Sequence, residues 1–126
     1  MRLLIVEDNV GMRGLIKRTL AGLVAEFVEC GDGAEAVAAY AAERPDFVLM
    51  DIEMPIMDGI TATQQIIAAD PSARIIILTN HDHLSLREAA RVAGACCYAL
   101  KENLLALREL IGEQRSMPGA EQPASG

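Results

Sequence analysis

The chain has 126 residues and a formal net charge of −7, from 18 acidic and 11 basic side chains. Such a balance does not suit direct contact with nucleic acid, whose phosphates are neutralised by Lys and Arg; it suits a cation or a basic protein surface. Apolar residues make up 52% and aromatics 3%, which predicts one domain with an aliphatic core and no apolar run near the roughly 20 residues that span a bilayer.

The N-terminus enters a strand directly. Leu3-Leu4-Ile5-Val6 is a short β-rich run that ends in Glu7-Asp8-Asn9. There is no signal-peptide pattern, so a cytoplasmic protein is expected. Asn9 is placed to cap the helix that follows, on which Met12, Leu15, Ile16, Leu20 and Leu23 share one face. Val24 to Cys30 reads as a second strand, nearer an edge. Gly31-Asp32-Gly33 turns the chain into an Ala-rich helix from Ala34 to Glu43, and Arg44-Pro45-Asp46 stops it.

Phe47 to Met50 is apolar without alternation, as in a strand buried on both faces of a parallel sheet. It runs into Asp51, then into loop residues Pro55 and Asp58-Gly59. A third helix is expected over Ile60–Ala69. Arg74 to Thr79 is β-branched and again unalternating. Asn80-His81-Asp82-His83 is a polar loop, and Leu86, Ala89, Ala90 and Ala93 mark a short fourth helix closed by Gly94. Ala95 to Leu100 is the fifth strand, followed by Lys101 and a last helix from Glu102 to Arg115. Residues 116–126 contain two prolines and two glycines and predict a disordered tail. The three cysteines, Cys30, Cys96 and Cys97, have neither disulfide parity nor CxxC spacing. They read as buried free thiols of a reducing compartment.

Five strands alternating with five helices call for a doubly wound parallel sheet with right-handed crossovers. All strand carboxyl ends then lie along one rim. That rim receives Glu7 and Asp8, Asp51, Thr79 and Lys101. Asp51 alone would be an ordinary strand end or helix cap; the second acidic site changes its weight. Carboxylates with only oxygen chemistry nearby suit a hard divalent ion, best Mg2+. Asp51 could attack phosphorus to form an acyl phosphate, with Lys101 offsetting phosphoryl charge and Thr79 donating a hydrogen bond.

These features resemble the receiver domain of bacterial two-component response regulators over Arg2 to about Arg115. The resemblance rests on Glu7-Asp8 after the first strand, the DxxMPxMDG pattern from Asp51 to Gly59, Thr79, and GAxxYxxK from Gly94 to Lys101. The wording around Met50–Pro55 and Lys101–Leu105 looks most like the NarL/FixJ subfamily. The resemblance implies a flavodoxin-like (βα)5 fold with sheet order 2-1-3-4-5, covering residues 1–115. It implies phosphorylation of Asp51 by a histidine kinase or histidine phosphotransfer protein. It implies Mg2+ on Glu7, Asp8, Asp51 and the backbone carbonyl of Glu53, with no enzymatic turnover beyond self-phosphorylation and autodephosphorylation. Thr79 and Tyr98 become a switch pair that changes the face made by the fourth helix, fifth strand and fifth helix.

By the same resemblance, Glu53 and His81 flank the path of the hydrolytic water and tune acyl-phosphate lifetime; from the residues alone, His81 and His83 are exposed loop positions. The implied partners include an output protein or a C-terminal DNA-binding domain beyond this chain, and a phosphorylation-dependent dimer. One departure stands out. Glu102 follows Lys101 where many receivers have proline, and a non-proline cis bond costs about 2.5–4 kcal/mol. An Mg2+-dependent phosphohydrolase with an aspartyl nucleophile is the alternative, but that class wants DxD after the first strand. A flavin module would need a Ser/Thr/Gly-rich loop where Glu7-Asp8 stands.

Overall fold

The computed structural model describes residues 1–115; the tail predicted for 116–126 lies outside the described residues. The elements, in chain order, are β1 (Arg2–Val6), α1 (Val10–Thr19), β2 (Glu26–Cys30), α2 (Gly33–Glu43), β3 (Phe47–Asp51), α3 (Gly59–Ala69), β4 (Ile75–Thr79), α4 (Leu84–Ala93), β5 (Cys97–Leu100) and α5 (Leu104–Arg115). The five strands are all parallel, in the order β2-β1-β3-β4-β5. This is the flavodoxin-like order expected above.

The sheet separates two apolar layers because strand side chains alternate between faces. Leu4, Val6, Val48, Met50, Ile75 and Ile77 face α2, α3 and α4, where Ala36, Tyr40, Ala62, Ile66 and Ala90 are buried. Leu3, Ile5, Phe47, Leu49, Ile76 and Leu78 face α1 and α5, against Ile16, Leu20, Leu107 and Ile111. Full burial of each such aliphatic side chain contributes about 1.5–3 kcal/mol. β3 and β4 are buried at every position, which is why their sequences show no alternation.

Side-chain caps fix where most helices begin. Asn9 accepts from the Met12 N–H at 2.8 Å, Asp32 from Glu35 at 2.8 Å and Asp58 from Thr61 at 2.9 Å. Asn103 accepts from the Ala106 N–H at 3.2 Å, so α5 starts two residues later than the apolar pattern suggests. His83, at the start of α4, makes no side-chain cap bond.

Three sequence readings change. Helix α1 ends at Thr19, with Leu20 as its cap residue. Leu20 and Leu23 still pack on the core, but from a turn in which Gly22 takes φ +85°. β2 and β5 each begin two residues late. The late start of β5 leaves Cys96 in a bend, exposed to solvent, and Cys97 only half buried; of the three cysteines Cys30 alone is buried. Lys101–Glu102 is trans, as are all described peptide bonds.

Gly59 ties the loop after β3 to the strand it leaves. A Cβ there would meet the Asp51 carbonyl oxygen at 2.0 Å and its carbon at 2.8 Å. No rotation of a side chain relieves a backbone contact of that kind. Gly59→Ala should therefore destabilise the fold by at least about 2 kcal/mol, read as a lower urea midpoint at constant slope; an unchanged midpoint would contradict the close approach.

Candidate functional site

The carboxyl ends of β1, β3, β4 and β5 meet on one rim. Glu7 and Asp51 are almost fully buried there, at 2% and 4% exposure, while Asp8 is exposed. Carboxylate oxygens of Glu7, Asp8 and Asp51 lie within 4.8 Å of one another. Lys101 reaches in from just beyond β5. Its Nζ sits 2.7 Å from Glu7 Oε1 and 3.2 Å from Asp51 Oδ2. The Glu7 contact is a charge contact off the line of a good hydrogen bond, because Oε1 has no aligned donor. The other Glu7 oxygen accepts from the Asn9 N–H at 3.1 Å. Asp51 Oδ1 accepts from the Glu53 N–H at 3.3 Å.

Three carboxylates against one ammonium leave the rim overcharged. Burial and then the Glu7 charge push the Asp51 carboxyl up to about 6, with Lys101 pulling the other way. Burial alone would depress the Lys101 ammonium, yet the Glu7 and Asp51 carboxylates raise it above its usual value. This set fits a small divalent cation. All its donors are oxygen, and their negative charge exceeds what Lys101 neutralises.

Thr79 ends β4 one position beyond the partner of Asp51, since Asp51 registers with Leu78. It is 1% exposed, and its Oγ1 accepts from the His81 N–H at 3.3 Å. The Lys101 N–H donates to the Thr79 carbonyl at 2.8 Å, which binds the two strand exits together. Tyr98 stands apart from the acid cluster. Its hydroxyl donates to the His81 carbonyl, its ring packs on the core, and the Arg87 guanidinium lies 4.7 Å over that ring. Arg87 also pairs with Asp82 at 2.7 Å. The sequence reading missed Arg87, and nothing in the pattern of α4 marks it. Glu53 and His81 meet across the mouth, with Oε2 and Nε2 2.8 Å apart. His83 stacks on His81 at 5.9 Å.

The loop after β3 carries a backbone outlier. Ile56 is β-branched, takes φ +68° and is 84% exposed. Such a residue rarely enters the left-handed region. The next residue, Met57, accepts from the Gly33 N–H at 3.2 Å, so the turn anchors the loop to the start of α2.

Comparison with known proteins decides the family. The model of the response regulator receiver domain matches residues 3–111. The chain belongs to this family. Response regulator MprA of Mycolicibacterium vanbaalenii is 34% identical over 99% of the chain and 53% of that protein. Chemotaxis protein CheY of Listeria monocytogenes is 46% identical over 61% of the chain and 66% of that protein. A LuxR-family two-component response regulator from Aurantimonas sp. superposes with TM-score 0.78 at 31% identity, covering 89% of this chain and 85% of that one. The receiver spans about half the length of the MprA relatives it matches. Its family makes it a phosphorylation-dependent signalling domain of two-component systems.

The raised Asp51 value has a stability consequence with a definite sign. Between about 4 and 6 the folded receiver holds a proton on Asp51 that the unfolded chain has released, so stability falls as pH rises through that window. Asp51→Asn removes the penalty. In EDTA it should melt several degrees above wild type at pH 7.5, on the scale of roughly 4–8 °C per kcal/mol, with the gap closing below about pH 4. A variant that melts lower at pH 7.5 would contradict the crowded-charge account.

Proposed function

We propose that Asp51 is the phosphoacceptor of this receiver, taking the phosphoryl group from a histidine kinase or histidine phosphotransfer protein. The carrying observation is the Lys101 ammonium lodged between buried Glu7 and Asp51 on a rim that also receives Asp8 and Thr79. An Asp51 oxygen forms the bond to phosphorus, the bond to the donor histidine nitrogen breaks, and that nitrogen leaves with its electron pair. Glu7, Asp8, Asp51 and the Glu53 carbonyl would hold Mg2+, which would supply charge neutralisation at the acid cluster. Lys101 gives up part of its contact with Asp51 and turns its ammonium to the phosphoryl group. Thr79 hydroxyl donates to a phosphoryl oxygen.

Thr79 and Tyr98 then read the new charge out to the face of α4, β5 and α5. The β4–α4 loop suits a two-state element: its helix starts without a side-chain cap, and its carbonyl at His81 is held by the Tyr98 hydroxyl. Residues 1–115 act as the receiver unit in the cytoplasm, and phosphorylation drives association with an output protein, a second copy or a C-terminal DNA-binding domain beyond this chain. Among the described residues no helix is long and apolar enough to cross a membrane.

Incubation with acetyl phosphate and Mg2+, followed by intact mass, tests the acceptor. One phosphate should add to wild type, and none to Asp51→Asn or to wild type in EDTA. Undiminished addition to Asp51→Asn sinks the assignment, and steady turnover of small phosphomonoesters would favour a phosphohydrolase. Glu53 and His81 also govern how long the acyl phosphate lasts, because their contact stands at the mouth through which water reaches it. Replacing both by Ala should change the autodephosphorylation half-life at least several-fold; an unchanged half-life refutes that role.

A further inference from the structure

Outside the acidic rim, the receiver places two nucleophiles side by side. The Cys96 thiol donates to the Cys97 sulfur at 3.5 Å. They stand where α4 hands over to β5, one of them exposed and the other half buried. Both line a shallow cavity of about 230 Å³, walled also by Arg87, Ala90, Arg91, Ala95 and Tyr98.

We propose that the adjacent thiols of Cys96 and Cys97 form a binding site for trivalent arsenicals, both sulfurs closing on one arsenic atom at the entrance to β5. With bonds of about 2.3 Å, as zinc makes to thiolate, two sulfurs 3.5 Å apart subtend roughly 100° at the captured centre. A linear two-coordinate ion would need roughly 4.6 Å at that bond length. Zinc fits the angle but wants four ligands. Among the described residues the one cluster of three or more His, Cys, Asp or Glu able to share an ion is Glu7, Asp8 and Asp51, so no third or fourth donor serves this pair. A pyramidal trivalent centre that takes two thiolates and keeps its own organic substituent meets both conditions. The substituent would lie in the cavity, against Ala90, Ala95 and the Tyr98 ring.

A disulfide is a poorer use of the pair. Neighbouring Cα atoms lie about 3.8 Å apart across a trans peptide, short of the usual range of about 4.4–6.8 Å. The backbone is also held in place: the Cys96 N–H donates to the Ile75 carbonyl at 2.9 Å, and Cys97 registers with Ile76. Capture of arsenic needs no such distortion. With an arylarsenoxide, two S–H bonds and the arsenic–oxygen bond break and two arsenic–sulfur bonds form. The oxygen leaves with both protons as water, arsenic stays trivalent, and neither sulfur is oxidised. The hydrogen bond from Cys96 lowers the Cys97 thiol while the same contact raises that of Cys96, so Cys97 is the thiol that attacks first.

The site does not use Asp51, so its failure would leave phosphoryl acceptance standing, and the reverse. The test is titration of the reduced chain with phenylarsine oxide, followed by intact mass and competition with thiols. One adduct should form, heavier by one arsenical less one water. It should bind at least about 100-fold more tightly than in Cys96→Ser or Cys97→Ser, because two tethered thiols act as one chelating unit. Cys30→Ser should keep it, and dithiothreitol should remove it where glutathione does not. Cys96 is exposed, so Cys96→Ser serves as the variant that keeps its fold, checked by its melting temperature. No adduct, equal affinity in a folded Cys96→Ser chain, or loss of two hydrogens without arsenic would overturn the proposal.

Discussion

A single ammonium, that of Lys101, stands between two carboxylates that would otherwise repel each other inside the protein. Glu7 and Asp51 come from β1 and β3, adjacent strands whose exits lie side by side. Both are taken out of water, and a buried anion without a partner is strongly unfavourable. Lys101 arrives from beyond β5, two strands away from β3 in the sheet. Its backbone is fixed by the bond from its N–H to the Thr79 carbonyl. The rim is therefore assembled only when every strand from β1 to β5 is in register.

The partial neutralisation leaves work for a ligand. One positive charge faces three carboxylates, and Asp51 carries the excess as a carboxyl reluctant to ionise. On the proposed reading a cation would lower that cost, and a phosphoryl group would bring back negative charge that Lys101 is placed to meet. The same rim is linked to a remote surface by short steps. Thr79 holds the His81 N–H, the His81 carbonyl holds the Tyr98 hydroxyl, and Arg87 of α4 covers the Tyr98 ring. A change in where the Thr79 hydroxyl points thus bears on the loop that starts α4, the helix start without a side-chain cap.

Much of this was legible in residue patterns, for physical reasons. β3 and β4 are buried on both faces, so their apolar runs could not be confused with half-exposed strands. Asp51 and Thr79 end such runs, Glu7 and Asp8 follow the apolar β1, and Lys101 follows the half-buried β5; parallel topology sends all five to one edge. The boundaries were less legible. Leu20 and Leu23 continue the apolar face of α1 into a turn, and burial does not distinguish a turn from a helix. Cys96 lies in an apolar neighbourhood that reads as strand, whereas β5 starts one residue after it. Contacts between loops left no trace in spacing. Glu53 meets His81 across 28 positions, and Arg87 covers Tyr98 from a helix face that reads as ordinary solvent-exposed charge.

The central claim is that, among the described residues, Lys101 alone balances the anionic rim proposed to receive a divalent cation. Calorimetric titration of Mg2+ into wild type and Lys101→Met measures this most directly. The Met side chain keeps the volume of the lysine stem and removes its charge. The account predicts that both bind one Mg2+ and that Lys101→Met binds it several-fold more tightly, because the competing ammonium is gone. Equal or weaker binding by a folded Lys101→Met receiver would contradict it.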